Sequence, residues 1–228
     1  MSEVKHKKAK ILLGLYMAPV CAMLFFCSNA MFRDVWFDES LTILDFMLRP
    51  SPLAIYKSYV IPNNHIFYTI VLKYWIELYA MVGNLVTYAY RLPSFLCGLG
   101  ILALICFRWR RRVGTPAAIA AALVLACAVP FMIYCTAVRG YMLSFLLLAV
   151  TLEFAFKLRS GGGWKAACGY LFFSFLAVLT IPSNIIGCGA IFLLVVSERR
   201  GNQLVSLRNC YLAAVPIMAL LIAYLPIW

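Results

Sequence analysis

Charge is scarce in this sequence. Of 228 residues only 12% are Asp, Glu, Lys or Arg, against about 25% in soluble globular domains. Acids number eight and histidines two. Apolar residues make up 65% where a soluble domain has about 45–50%, and a chain this short has no interior large enough to hide the excess. A water-soluble enzyme is excluded, and so are a disordered chain and a secreted disulfide scaffold. No Cys-x-x-Cys occurs. All nine cysteines lie in or at the edge of apolar runs, where they read as small hydrophobes with no further role. The run Gly161-Gly162-Gly163 lacks the lysine pattern of a phosphate-binding loop and reads as a flexible turn. There is no Asn-x-Ser/Thr acceptor site. The class that remains is an all-α polytopic membrane protein.

What the sequence does have is a succession of apolar runs. A helix crosses the roughly 30 Å hydrocarbon core with about 20 residues. Residues 11–31, 88–107, 116–137, 141–158, 166–181, 185–197 and 210–228 therefore read as seven transmembrane helices. The fifth and sixth are short and are separated by Pro182-Ser183-Asn184, a tight reversal. The first run has the basic start of a signal peptide, and Ser28-Asn29-Ala30 resembles a cleavage site. Its apolar stretch exceeds the usual 7–15 residues, so it reads as an uncleaved anchor.

An eighth stretch, 66–82, places Thr69, Lys73 and Glu77 along one helical stripe, with interfacial-type Tyr74, Trp75 and Tyr79. At 1.5 Å per residue it is about 25 Å long. It reads as an amphipathic surface helix, with Lys73 and Glu77 paired. Parity supports this. With 66–82 on the surface, the basic clusters at 5–10, 108–112, 157–165 and 199–208 all share the side of the amino terminus. They hold 14 of the 20 Lys and Arg, leaving net charges of +11 on that side and +1 on the other. The positive-inside rule puts the amino terminus in the cytosol. The +12 formal charge is thus a topological signal, and no nucleic acid is expected as partner.

The long first outer loop, 32–89, holds five of the eight acids: Asp34, Asp38, Glu39, Asp45 and Glu77. Loops this long are functional or disordered, and this one is too apolar for disorder. Phe37, Leu41, Leu44 and Leu48 recur at helical spacing, which predicts a short amphipathic helix over 39–48 ended by Pro50 and Pro52. Two surface helices then flank a turn containing Pro62-Asn63-Asn64-His65.

Each polar residue here has a bland reading and a chemical one. Asp38 is a helix N-cap or a catalytic carboxylate. Glu39 is a solvated first-turn acid or its catalytic companion, and Asp34 and Asp45 are solvated face. His65 is a surface histidine after an Asn64 cap, a phosphate or acceptor contact, or a metal ligand with Asp38 or Glu39. The other histidine, His6, lies on the opposite side, so no metal is assigned, and a divalent cation stays open. Arg91 and Arg139 snorkel to headgroups or bind phosphate.

The segments Trp36-Phe37-Asp38-Glu39-Ser40, NNHIFYTIVLKYW at 63–75, YRLPSFLCGL at 90–99 and AVRGYMLSFLLL at 137–148 follow in order. Together, over residues 12–228, they resemble the membrane-embedded GT-C glycosyltransferases of the dolichyl-phosphate-mannose-protein mannosyltransferase and aminoarabinose-transferase type. The resemblance implies transfer of a sugar from a polyprenyl-phosphate donor to a lipid or glycan acceptor, at the outer face of a plasma (inner) membrane. It assigns the catalytic Asp-Glu pair to Asp38 and Glu39. It assigns contacts with substrate or lipid phosphate to Asn64, His65, Arg91, Arg139 and Tyr141. Two departures stand out: His65 is not followed by the family's prolines, and Gly140 stands where the family has Arg-Pro-Tyr. Family members are usually longer. Residues 1–228 therefore match a single amino-terminal seven-span module without the usual carboxyl-terminal part, which a partner chain would complete.

The chemistry agrees with the residue types. Transfer from a lipid phosphate needs a base at the acceptor hydroxyl and a cation at the departing phosphate. A carboxylate beside apolar Trp36 and Phe37 is expected to gain basicity, and arginine holds phosphate oxygens through its planar fork. The competing class is a non-catalytic lipid-phosphate-binding or transporter-like module, or an inactive fragment of a longer glycosyltransferase. A transporter places ionisable or broken-helix sites at mid-membrane, whereas these acids gather at one face.

Overall fold

The computed structural model describes residues 2–58, 64–196 and the separate positions 214, 216–218, 221 and 224, with side chains from residue 13 onward. Among the described residues every regular element is a helix. The run 210–228 apart from those positions, the turn residues Pro62 and Asn63, the arginines Arg199, Arg200 and Arg208, and the side chains of His6 and the amino-terminal lysines lie outside the description.

In chain order, α1 is Ser2–Met31, and α2 is Phe37–Leu41, which runs on as a π-helical turn, Thr42–Met47. Next come α3 (Pro52–Lys57), α4 (Ile66–Ala80) and α5 (Thr87–Val113). The series ends with α6 (Thr115–Ala126), α7 (Val129–Cys135), α8 (Tyr141–Arg159), α9 (Trp164–Thr180) and α10 (Asn184–Val196). By length and composition, Leu13–Met31, α5 and α8 are long and apolar enough to cross a membrane, and α6 with α7 make a fourth if counted as one span. Helix α9 and the stretch Asn184–Val195 are shorter and apolar.

The stretch 32–89 holds one more helix than its sequence suggested. Pro52, read as a terminator, instead opens α3: Ser51 is extended at the N-cap and its hydroxyl accepts the Ala54 N–H at 3.2 Å. Proline suits that first turn because its missing N–H would have no partner there. The run 116–137 is also not one straight helix, since α6 and α7 meet at a 70° bend. Pro130, in the first turn of α7, cannot donate to the carbonyl four residues back, so the helix breaks at Cys127 and Ala128. The glycine run after α8 is an ordered cap rather than a loose turn. Gly161, at φ 83°, donates to the Leu158 carbonyl and Gly162 to that of Lys157, the paired bonds of a Schellman motif.

Two compact units make up the chain: 1–36 with 78–138, and 37–77 with 139–228. In the first, α6 packs on α1, and Ala118, Ala122 and Ala126 form a fully buried stripe along α6 whose small side chains let backbones approach. Near one end, Arg110 donates to the Tyr16 hydroxyl at 2.7 Å, and the Tyr16 ring stacks on Phe107. At the other, Arg91 is fully buried, not snorkelling as a surface arginine would. It donates to four backbone carbonyls: Thr136 at 2.8 Å, Met31 at 3.3 Å, Arg33 at 2.7 Å and Asp34 at 3.0 Å. One guanidinium thus holds the end of α1, the stretch after it and the end of α7.

In the second unit α8 is central, packed on both α9 and α10. Ile66 of α4 joins Leu147, Ala177, Val178 and Cys188 in its core. Asn184, at the start of α10, donates to the Ser144 hydroxyl at 2.6 Å and to the Ala177 carbonyl at 2.7 Å. One amide thereby ties α8, α9 and α10 together. On α4, Lys73 and Glu77 pair at 3.1 Å as expected, whereas Thr69 of the same stripe is buried.

The Arg91 network predicts a stability defect. Arg91→Gln cannot reach four carbonyls, and stranding buried acceptors should cost on the order of 3–5 kcal/mol. The expected result is a clearly lower melting temperature in detergent. A variant that melts with the wild-type protein would remove the clamp assignment.

Candidate functional site

Within the second unit, α2, the start of α4 and the start of α8 bring Asp38, His65, Arg139 and Tyr141 together. Arg139 precedes α8, and its side chain is 8% exposed. Its Nη1 lies 3.4 Å from Asp38 Oδ2, an ion pair between residues 101 apart in sequence. The same nitrogen reaches the Asp38 backbone carbonyl at 3.5 Å. Arg139 Nη2 donates to the Tyr141 hydroxyl at 3.3 Å, and its guanidinium lies 5.5 Å from the centre of that ring.

The helix carrying Asp38 begins one residue earlier, at Phe37, so Asp38 and Glu39 occupy its first turn and Asp38 is not the cap. A carboxylate there is favoured by the partial positive charge of the helix amino terminus. The turn beyond it is irregular. Thr42 Oγ1 donates to the Asp38 carbonyl at 3.1 Å, and the backbone continues with π-type bonds such as Leu48 N–H to Ile43 C=O. π-helical turns of this kind recur at functional sites.

The apolar envelope expected around Asp38 is not formed. Its side chain is 62% exposed and Phe37 is largely exposed. Its distinguishing feature is the arginine. Glu39, read as the solvated acid, is instead buried at 2% exposure. The helix therefore turns its second carboxylate inward, while Asp34 and Asp45 are exposed as expected.

His65 departs furthest from its bland reading. It is 4% exposed, and its carbonyl accepts the Thr69 N–H, the first bond of α4. His65 therefore holds the capping position, and Asn64 precedes it. Asn64 is a buried brace: its Nδ2 donates to the Ile55 carbonyl at 3.1 Å, and its Oδ1 accepts from the Thr69 hydroxyl at 3.2 Å. His65 Nδ1 accepts the Gly140 N–H at 2.7 Å, and its ring meets Tyr141 edge-on at 4.9 Å. Burial, then the nearby Arg139 charge, lower its pKa to about 3. The ring is neutral at pH 7, and with Nδ1 accepting, its proton sits on Nε2.

Gly140 went unnoticed in the sequence except as a departure from Arg-Pro-Tyr. Proline would lack the N–H that His65 receives, and a Cβ here would lie 2.8 Å from His65 Nδ1. The signal was the glycine itself, the one residue offering both an N–H and no side chain.

Arg91 is not part of this group; it belongs to the first unit, bound to carbonyls. Among the described residues, no three His, Cys, Asp or Glu side chains come together to hold a metal ion. No protein-family model matches the chain, and neither any curated protein nor any solved structure matches it.

His65 also sets a pH dependence. Its folded pKa of about 3 lies below the ordinary 6.5, so between those values the unfolded chain binds the proton more readily. The stability this preference confers is complete above pH 6.5 and is lost as pH falls toward 3, at about 1.4 kcal/mol per pH unit. His65→Asn keeps an acceptor near the Nδ1 position but does not titrate. The melting-temperature gap between wild type and His65→Asn should narrow from pH 7 to pH 5. A gap that stays constant would show that His65 does not titrate in this way.

Proposed function

We propose that the chain is a membrane glycosyltransferase module that moves a sugar from a polyprenyl-phosphate donor to a lipid or glycan acceptor at the outer face of the membrane. The observation that carries the reading is the Arg139–Asp38 pair beside a neutral histidine, in a chain whose helices are long and apolar enough to span a bilayer. Asp38 removes the proton from the acceptor hydroxyl as that oxygen bonds to the anomeric carbon. The bond from that carbon to the phosphate oxygen breaks, and the lipid phosphate leaves toward Arg139. Tyr141 steadies the guanidinium, and His65 offers its Nε2–H. Glu39 holds α2 from its buried side. The resting ion pair is an easy one to exchange. With Asp38 mostly exposed, solvent screens it to roughly 0–1 kcal/mol, so an arriving phosphate can replace the carboxylate at low cost.

The topology that goes with this reading has seven spans, with the amino terminus in the cytosol of a plasma (inner) membrane. Helices α2 to α4 lie on the outer surface. Phe37, Leu44, Leu48 and Leu53 all expose apolar side chains there, as residues facing lipid do. Cysteines placed at Arg111 and Asn84 test it. Asn84→Cys should react with a membrane-impermeant maleimide from outside, and Arg111→Cys only after permeabilisation. Labelling of Arg111→Cys in sealed cells contradicts the seven-span order.

The catalytic test is Asp38→Asn, which keeps the side chain's shape but cannot take the proton. Removing a positioned base costs about 10²–10⁴-fold in rate. Sugar transfer from a polyprenyl-phosphate donor should fall by that factor at unchanged protein abundance, in membranes holding the whole enzyme. Near-normal transfer would leave the outer loop as a lipid-phosphate-binding scaffold without catalytic duty.

A further inference from the structure

In the sequence the basic cluster at 108–112 is a topological signal; in the structure it has a shape. Helix α5 widens into π-helical turns over Leu104–Trp109 and closes with an α-turn, Arg110–Val113. Spacing divides its four arginines. Arg110 turns onto α1, donating to the Tyr16 hydroxyl at 2.7 Å with its guanidinium 5.6 Å from the centre of that ring. Arg108, Arg111 and Arg112, three and four residues apart, share another face, and Arg111 and Arg112 are exposed. Beside them Phe107 and Val113 expose apolar side chains, at 57% and 58%. Trp109 Nε1 and Arg110 Nε, on half-buried side chains, meet no acceptor among the described residues. The first unit brings no acid to this end: among its described side chains the one acid is Asp34, beyond the far end of α1. A single residue, Gly114 at φ 87°, separates the arginines from α6, and the amino-terminal end of that helix adds partial positive charge to the same turn.

We propose that this turn binds the phosphate of an anionic glycerophospholipid, whose acyl chains lie against Phe107 and Val113. Charge complementarity selects the head. Arginine forks hold phosphate oxygens in pairs, and an anion relieves the repulsion among cations gathered on one face. A covered N–H without an acceptor is costly, and rotation of Trp109 toward the headgroup supplies one. The exposed apolar pair selects a lipid over a free phosphate, because an amphiphile satisfies both halves of the surface and a soluble anion meets only the cations. The positive-inside rule asks for cations on one side of the membrane without regard to their arrangement. It does not account for one arginine pinned to α1 while three others share a face beside apolar side chains. The proposal needs a chain that spans a bilayer, as α5 is long and apolar enough to do. It depends neither on sugar transfer nor on the side of the membrane that the turn faces.

The test places the full-length protein in phosphatidylcholine bilayers that contain rising fractions of a lipid brominated in the upper part of its acyl chains. Bromine quenches tryptophan on contact, and subtracting the signal of a Trp109→Phe protein isolates Trp109 from the other four tryptophans. Brominated phosphatidylglycerol should quench Trp109 at a lower fraction than brominated phosphatidylcholine does. Arg111→Gln, at an exposed position, should cut that preference on the order of fivefold, and adding Arg112→Gln should abolish it. An unchanged melting temperature shows that the fold survives both changes. Removing the same number of charges elsewhere, with Lys157→Gln and Lys165→Gln, should leave the preference intact. Equal quenching by the two lipids in the wild-type protein overturns the proposal, as does a preference that survives loss of Arg111 and Arg112. An equal loss in the Lys157 and Lys165 variant also overturns it, because diffuse charge would then suffice. Inorganic phosphate that removes the preference at constant ionic strength identifies a soluble anion and rejects the lipid.

Discussion

A backbone amide or carbonyl that leaves a helix in an apolar chain must find its partner inside the protein, because lipid offers none. This constraint explains where the few polar side chains go. The carbonyls where α1 and α7 end converge on Arg91. The N–H that opens α8 goes to His65. In the last turn of α9 the Ala177 carbonyl accepts from Asn184 as well as from the Ile181 N–H, and the end of α8 closes on its own glycines. Each of these residues sits at a helix end, and each is bound to backbone at least once.

The site in the second unit follows from this rule. His65 is buried because a helix start needs an acceptor, and burial keeps the ring neutral. A neutral ring with Nδ1 committed to Gly140 has one orientation and one tautomer. Tyr141 meets that ring edge-to-face, and Arg139 is held by Tyr141, so the cation inherits its position from a backbone hydrogen bond at the next residue, Gly140. Asp38 is the exposed half of the pair, sitting on a short helix that gives way at once to a π-helical turn. A fixed cation and an exposed carboxylate suit a site where one anion must yield to another.

Much of the fold was legible because hydropathy is local: the runs 11–31, 88–107, 141–158 and 166–181, and the described part of 185–197, match helices at nearly their expected places. The Lys73–Glu77 pair was legible for the same reason, since four-residue spacing fixes it within one helix. What escaped depends on packing between distant segments. Nothing near Glu39 distinguishes it from Asp38; which carboxylate turns inward is decided by what α2 packs on. Arg91 carries no local mark of having four carbonyl partners, three of them 57 to 60 residues away. Two misses had local signals that were misweighed. Ser51-Pro52 is a cap followed by a first-turn proline, and Pro130 lies inside what was read as one span.

Arg91 and Arg139 show how one side chain type acquires two duties in the same protein. Both are buried and both begin or flank a helix at the end of an apolar run. Arg91 meets carbonyls, which belong to the backbone and cannot leave, so its fork is part of the frame. Arg139 meets one carbonyl, that of Asp38 at 3.5 Å, but chiefly a carboxylate and a phenol, which are side-chain groups with rotamers to change. Exchange of a ligand requires partners that can move without unfolding the chain. By that criterion Arg139, and not Arg91, is the arginine whose partners can be exchanged, although the sequence offered both for the same task.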